Sequence, residues 1–137
     1  MELLDSLNQI HWLSVLVSAV AAFAIGGLWY SPALVGNAWQ KLINLSDEEI
    51  KSANMPLIYG TTFVLNIIGA LFLDLFIGSS STWLSGLLSG LLVSIAWITT
   101  SFGINYLFGQ KPFKLFLIDA GYFVVYFSVM GIILGVW

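Results

Sequence analysis

The stretch from residue 113 to residue 136 reads FKLFLIDAGYFVVYFSVMGIILGV and carries only two charged side chains, Lys114 and Asp119. A helix needs ~20 mostly apolar residues to cross the ~30 Å hydrocarbon core of a bilayer, so this stretch is long enough to span a membrane. Three similar runs precede it, at residues 12–30, 57–77 and 83–108. The sequence therefore predicts an all-α membrane protein, a four-transmembrane-helix bundle that forms one membrane domain over residues 1–137.

The composition excludes several classes of function. Hydrophobic residues make up 59% of the chain and charged residues 8%, and the mean hydropathy of +0.97 leaves no room for a soluble domain. The absence of cysteine excludes disulfides, thiol catalysis and thiolate metal sites. Four lysines and a net charge of -3 give nucleic-acid binding no electrostatic basis. No G-x-S-x-G motif accompanies the many serines. We therefore expect no enzyme, no cofactor and no metal site.

The lysines orient the predicted helices. Lys41 and Lys51 lie in the connection after the first run, and Lys111 and Lys114 lie at the connection between the third and fourth runs. The remaining connection, residues 78–82, is uncharged. Because cytoplasmic loops collect lysine and arginine, both lysine-bearing connections should be cytoplasmic and both chain termini outside. The first run lacks a basic segment before it and a small-residue cleavage site after it, so we interpret it as a retained helix rather than a signal peptide.

The first connection, at about residues 31–55, predicts a short amphipathic helix between the first two spans. Its apolar residues recur at helical spacing, at Val35, Ala38, Trp39 and Leu42. A helix of this kind suits the cytoplasmic membrane interface. Ser46 and Glu49 have the spacing of a capping box, which we favour over a metal site made of the carboxylates at residues 47–49. Pro56 is suited to the first turn of the second span.

Small residues recur every fourth position along the first run, at Ser14, Ser18, Ala22 and Gly26. Gly86 and Gly90 in the third run, and Gly131 and Gly135 in the fourth, have the same spacing. Small residues at this spacing let helices approach closely in lipid. The pattern indicates either packing within one chain or a homo-oligomer that assembles through the first run.

The candidate functional site is centred on Asp119, because ionisable groups inside a membrane are costly and usually face the bundle interior. Asp119 lies about six residues into the fourth run, ~9 Å along the helix axis from its start. We expect other polar side chains to converge on it, namely Tyr30, Asn66, Asn105 and Tyr122. One interpretation is a site where Asp119 binds a cation or a proton; the other is a hydrogen-bonded network that fixes the helix packing.

Two further ionisable side chains lie near the opposite surface of the predicted bundle. Asp74 comes close to the outer end of the second run, and His11 precedes the first run. They either form a pair or are solvated separately at the interface. A single histidine without cysteine argues against a transition-metal site.

The chain resembles a family of small bacterial membrane proteins known as domain of unknown function 1761. The resemblance runs over nearly the whole chain and is carried by several short motifs: GLWYSP at 27–32, Gly36 with Ala38-Trp39 and Lys41-Leu42, the acidic turn at 46–49, Tyr59-Gly60, GINYLF at 103–108, IDAGY at 118–122 and Met130-Gly131. It implies a four-helix integral protein of the bacterial inner (plasma) membrane with no assigned activity. Asparagine is common in the family where Asp119 stands, which implies a hydrogen-bonding role at this position.

Two functions follow from these observations. The first is a small oligomeric transporter or channel-like subunit whose polar cluster surrounds Asp119. The second is a structural or accessory membrane protein that binds lipid or a membrane partner. Besides the lipid bilayer, the expected partner is a second copy of the chain, through the small residues of the first run.

Overall fold

A computed structural model describes residues 2–137. It contains the helices α1 (Glu2–Leu7), α2 (Trp12–Trp29), α3 (Gly36–Leu42), α4 (Asp47–Ser52), α5 (Met55–Ile77), α6 (Trp83–Val93), α7 (Thr100–Phe108) and α8 (Phe113–Val136), with a π-helical turn, Ser94–Thr99, between α6 and α7. No strand occurs within residues 2–137.

Four helices have the length and composition of membrane spans, which confirms the predicted fold class at this level and is consistent with a multi-pass membrane protein. Span 1 is α2, span 2 is α5, span 3 runs from Trp83 to Phe108 through the π turn, and span 4 is α8. Span 2 begins at Met55, two residues before the predicted start, because the side chain of Asn54 accepts a hydrogen bond from the Leu57 amide at 3.2 Å and caps the helix.

The two ends of the bundle differ. The lysine end holds the segment between spans 1 and 2 and the turn between spans 3 and 4, and the terminal end holds the start of span 1, the uncharged turn at residues 78–82 and the end of span 4. Helix α1 lies at the terminal end and is exposed. The hydrophobic pattern did not predict α1, because six residues are too few to show helical periodicity.

Span 4 is the central helix of the bundle and packs against each of the other three spans. Its buried side chains Tyr122, Tyr126 and Met130 form a hydrophobic core with residues of spans 1 and 2, including Val15 and Leu73. Most large apolar side chains elsewhere on the spans are exposed on the outer surface of the bundle, which suits helices that face lipid.

Spans 3 and 4 meet through glycine. A methyl group at Gly86 would overlap the carbonyl oxygen of Gly131, and a methyl group at Gly131 would overlap that of Gly86. Gly90 and Gly135 are equally close to backbone atoms of the opposite helix. We call these four residues the glycine seam. The seam brings two helix backbones into direct contact within one chain, as small residues at this spacing permit.

The small residues of span 1 are also used within the chain. Ser14, Ser18 and Ala22 are buried, on a helix that packs against spans 2 and 4. Gly26 faces Tyr122, whose hydroxyl lies 2.9 Å from the position that a β-carbon at Gly26 would occupy. Ser14, Ser18 and Ala22 are therefore unavailable to a second copy, whereas Gly26 is only half-buried, and the predicted homo-oligomer stays a prediction.

The π turn interrupts the regular hydrogen bonding of span 3, and two threonines satisfy carbonyl groups around it. The Thr99 hydroxyl donates to the Ser94 carbonyl at 2.8 Å, and the Thr100 hydroxyl donates to the Ala96 carbonyl at 2.8 Å. Hydroxyl side chains often compensate irregular turns in membrane helices in this way. Because a π turn holds one extra residue, every side chain after it is rotated relative to a regular α-helix.

The connection between spans 1 and 2 holds the short helices α3 and α4. A capping box begins α4, as predicted: the Ser46 hydroxyl accepts a hydrogen bond from the Glu49 amide at 3.1 Å, and the Glu49 carboxylate accepts one from the Ser46 amide. Gly36 begins α3 and lies so close to the backbone of Tyr30 that a larger residue would overlap it. This contact folds the connection back onto the end of span 1.

Candidate functional site

Two tyrosines donate hydrogen bonds to the carboxylate of Asp119. The Tyr30 hydroxyl donates to Oδ1 at 2.7 Å, and the Tyr106 hydroxyl donates to Oδ2. We call Tyr30, Tyr106 and Asp119 the Asp119 site. Tyr30 follows span 1, Tyr106 lies in span 3 and Asp119 lies in span 4, so one carboxylate joins three helices at the lysine end.

Each element places its residue for a separate reason. Asp119 faces inward from the second turn of span 4, between the buried neighbours Ile118 and Ala120. Tyr30 is the C-cap of span 1, and its amide donates to the Gly26 carbonyl at 3.1 Å. The tight turn between spans 3 and 4 holds the helix that carries Tyr106 next to the start of span 4, since short connections make consecutive helices antiparallel neighbours.

Aromatic side chains surround Tyr30 and hold its ring in place. Trp39 of α3 and Tyr122 of span 4 pack edge-on against it, with ring centroids 5.2 and 5.3 Å away. The neighbouring Trp29 donates its indole N–H to the Ile118 carbonyl at 3.1 Å. The predicted Tyr122 therefore belongs to the wall of the site, where it contacts Tyr30 and not the carboxylate. Its neighbour Tyr126 packs against it at 5.7 Å and leads to the middle of the bundle.

Asn66 lies in a separate polar pair nearer the middle of the bundle. Its side-chain oxygen accepts a hydrogen bond from the Tyr126 hydroxyl at 2.9 Å, and its amide nitrogen lies 3.5 Å from the Ala19 carbonyl. This pair joins spans 1, 2 and 4 and is buried. The structure thus brings Asn66 inside the bundle, as predicted, but connects it to Tyr126 and not to Asp119.

Asn105 was predicted at the site, and the structure corrects this placement. Asn105 is exposed, and the next residue, Tyr106, reaches Asp119. The regular spacing that starts at the buried Gly90 and Ser94 leads to Ser101 and Asn105, both of which are exposed. The π turn adds one residue, and each residue of an α-helix turns the chain by about 100°. The inward face after the turn is consequently carried by Phe102 and Tyr106.

Tyr106 is the site residue that the hydrophobic pattern missed. The sequence does offer one signal for it: Tyr106 lies one turn before the tight connection at residues 109–112, and Asp119 follows that connection closely. Two residues so near a short helical hairpin turn are brought to the same depth. The direction in which the Tyr106 side chain points could not be inferred, because it depends on the π turn.

The chemistry of the Asp119 site is that of a carboxylate held by neutral donors. An ionised carboxylate has about four lone-pair positions, of which the two tyrosines use two, so the oxygens can still accept a proton or coordinate a cation. Within residues 2–137, no group of three or more histidine, cysteine, aspartate or glutamate side chains converges.

Comparisons with known proteins agree with the resemblance in the sequence. No curated protein matches the chain, and no solved structure matches it. One family model, described as "Protein of unknown function (DUF1761)", matches residues 13–135. The matched segment begins inside span 1 and ends near the last residue of span 4, so it includes all three residues of the Asp119 site. The chain belongs to the DUF1761 family of proteins of unknown function.

Proposed function

We propose that this protein is a small transport protein of the membrane, or a subunit of one, in which Asp119 binds a monovalent cation or a proton. The observation that carries the proposal is the convergence of Tyr30, Tyr106 and Asp119 from three helices. Ionisable groups within membrane spans are rare, and ion pathways and proton relays are among the functions that they mark. The hydroxyl partners of the Asp119 carboxyl are uncharged and supply no counter-charge, so a bound cation could supply it, whereas a lysine partner would already do so.

Membrane flux tests this proposal. Purified protein is reconstituted into vesicles, and proton, Na⁺ and K⁺ fluxes are followed with dyes inside the vesicles. We expect a flux that falls at least tenfold in Asp119→Asn, which keeps a hydrogen-bonding side chain but cannot carry the charge. Glu48→Gln is the matched control, since it removes an exposed carboxylate of α4. Wild-type flux no greater than that of empty vesicles, or equal flux in Asp119→Asn, would show that the proposal is wrong.

The proposed orientation places the lysine end in the cytoplasm and both chain termini outside, in the inner membrane of a bacterium. The positions of Lys41, Lys51, Lys111 and Lys114 support it. The natural absence of cysteine makes the test direct. In intact cells, a membrane-impermeant maleimide should label Ser79→Cys, at the terminal end, and leave Ser52→Cys, at the lysine end, unlabelled. The reverse pattern would invert the orientation.

In that orientation, α3 lies at the cytoplasmic interface as an amphipathic helix. Asn37 and Lys41 are exposed, whereas Ala38, Trp39 and Leu42 are half-buried. This division supports an amphipathic helix, and amphipathic helices suit the membrane interface. Fluorescence quenching by lipids brominated near the headgroup tests it in a variant whose other five tryptophans are replaced by phenylalanine, leaving Trp39. Quenching no stronger than that by tail-brominated lipids would contradict the position.

Assembly of several copies is part of the transport proposal, because four short helices enclose little volume. The interface must use residues other than Ser14, Ser18 and Ala22, which are buried within the chain. Native mass spectrometry of the protein released from detergent gives the number of copies. A single copy under conditions in which flux is retained would exclude the oligomer.

A second function, an accessory protein that binds lipid or a membrane partner, is favoured by the glycine seam. Backbone contact along the glycine seam leaves no path between spans 3 and 4 over the half of the bundle next to the terminal end. This function predicts lipid that remains bound through purification and no flux in vesicles. Mass spectrometry of the extracted lipid, compared with the bulk membrane composition, distinguishes it from the first proposal.

A further inference from the structure

A polar cavity lies at the terminal end of the bundle, away from the Asp119 site. Its volume is about 220 Å³. The residues that precede span 1, the end of span 2, the turn at residues 78–82 and the end of span 4 all contribute to its wall. The side chains that could contact a ligand there are Ser6, Gln9, His11, Asp74, Ser81 and Trp137.

The charge of this cavity selects for a cation. Asp74 is half-buried in the last turn of span 2 and is the only acidic residue among those that line the cavity. All four lysines of the sequence lie at the lysine end, and the sequence contains no arginine. The nearby residues Glu2 and Asp5 add further negative charge to the same end. His11 also lines the cavity; when its imidazole is neutral, Asp74 is the one charged side chain among the lining residues. A cleft with one sign of charge concentrates ligands of the opposite sign.

The size and lining of the cavity indicate which cation it would hold. A volume of about 220 Å³ is below the ~300 Å³ at which pockets for drug-sized ligands begin, so the ligand must be small. A bare metal ion would require several close acidic or histidine ligands, and the described residues contain no group of three. Serine hydroxyls and the Gln9 amide can accept hydrogen bonds from polar groups of an organic ligand. Trp137 also lines the cavity, and the faces of indole rings attract ammonium groups.

We propose that this cavity binds a small organic ammonium ion, with Asp74 as its counter-charge and Trp137 as its aromatic contact. This inference goes beyond the transport proposal. Leu134, at the wall of the cavity, is fifteen residues from Asp119 along α8, which corresponds to about 22 Å at 1.5 Å per residue. The two sites are therefore separate, and either can be correct without the other.

Calorimetric titration of the full-length protein in detergent tests the inference, with choline chloride as the probe and sodium chloride at equal ionic strength as the reference. We expect saturable binding of choline that weakens at least tenfold in Asp74→Asn. Asp5→Asn removes a charge from the same end without touching the cavity lining and should change the affinity less than twofold. Asp119→Asn should leave choline binding unchanged, which separates this result from the test of the transport proposal.

A second measurement does not depend on the folding of a variant. The uncharged analogue 3,3-dimethyl-1-butanol has the shape of choline and lacks its charge, so wild-type protein should bind it at least tenfold more weakly. Equal binding of the neutral analogue, an affinity for choline that Asp74→Asn does not change, or the absence of saturable choline binding would each overturn the proposal.

Discussion

Tyr106 and Asp119 are hydrogen-bonded to each other across the helical hairpin that spans 3 and 4 form. The phenol donates to one carboxylate oxygen, and Tyr30 donates to the other at 2.7 Å. Both donors are half-buried. Because the two bonds reach the carboxylate from different helices, each fixes a different part of the bundle.

Loss of either hydroxyl should destabilise the protein. We expect Tyr30→Phe and Tyr106→Phe each to lower the free energy of unfolding by about 1 kcal/mol, since each leaves one carboxylate oxygen without its donor. Unfolding by denaturant in mixed micelles measures this change. Tyr59→Phe is the control, because Tyr59 is an exposed residue of span 2. Equal stability of all three variants would mean that the bonds to Asp119 contribute nothing.

Alanine should not be tolerated in the glycine seam. Gly86→Ala and Gly131→Ala each place a methyl group on the backbone of the opposite helix, and we expect each to lower the free energy of unfolding by about 1–3 kcal/mol. Gly60→Ala is the matched control in span 2, because a β-carbon there meets nothing within 4 Å. Alanine is a better helix former than glycine, so this control should be neutral or slightly stabilising. Stable seam variants would disprove the backbone contact.

Removal of one residue from the π turn should preserve the Asp119 site. Deletion of the exposed Ile95 allows the turn to become regular α-helix, and the Tyr106 side chain still points towards Asp119. We therefore expect the free energy of unfolding to change by no more than about 1 kcal/mol. Deletion of the exposed Leu65 in span 2 is the control. Span 2 has no π turn whose extra residue could compensate for the deletion. The part of the helix before residue 65 is therefore rotated by about 100° relative to the part after it, which separates Asn66 from Tyr126.

The same unfolding measurement compares the two deletions. We expect the Leu65 deletion to cost at least about 3 kcal/mol more than the Ile95 deletion, because it breaks a buried hydrogen bond and displaces half of a core helix. Similar losses for both deletions would show that the π turn is not an inserted residue.

Trp39 should hold the connection between spans 1 and 2 against the bundle. Its ring packs against Tyr30 with centroids 5.2 Å apart, and such aromatic pairs contribute about 0.5–1.5 kcal/mol. Trp39→Ala should therefore expose residues 31–54 to proteases several-fold faster, as followed by mass spectrometry of the fragments. Trp83→Ala, at the exposed start of span 3, should leave this rate unchanged. An unchanged rate in Trp39→Ala would mean that α3 is held by other contacts.

The span limits could be predicted from the sequence because charged side chains are costly in lipid, so that the spans appear as long apolar runs between polar segments. The capping box was also predictable, since Ser46 and Glu49 interact locally. The depth of Asp119 and its proximity to Tyr30 followed from span lengths alone. These features depend on distances along the chain and not on how the helices face one another.

Which side chains of a span point into the bundle could not be predicted, for two physical reasons. The π turn of span 3 has no distinct hydrophobic period, so the shift from Asn105 to Tyr106 left no sign in the pattern. The small residues of span 1 permit close packing against any helix, whether in the same chain or in another copy. Their spacing alone therefore could not show that Ser18 and Ala22 are buried inside the bundle.

The glycine seam and the Asp119 site hold span 4 towards opposite ends of the bundle. Gly86 and Gly90 bring span 3 into backbone contact with span 4 on the side of the terminal end, and the Tyr106 hydroxyl joins the same two spans at the lysine end. Span 1 is joined to span 4 at the lysine end by two adjacent side chains, because Tyr30 donates to Asp119 and the Trp29 indole donates to the Ile118 carbonyl. Any separation of spans 1 and 4 at the lysine end must therefore break both of these hydrogen bonds, and it would leave Tyr106 as the tyrosine that still donates to Asp119.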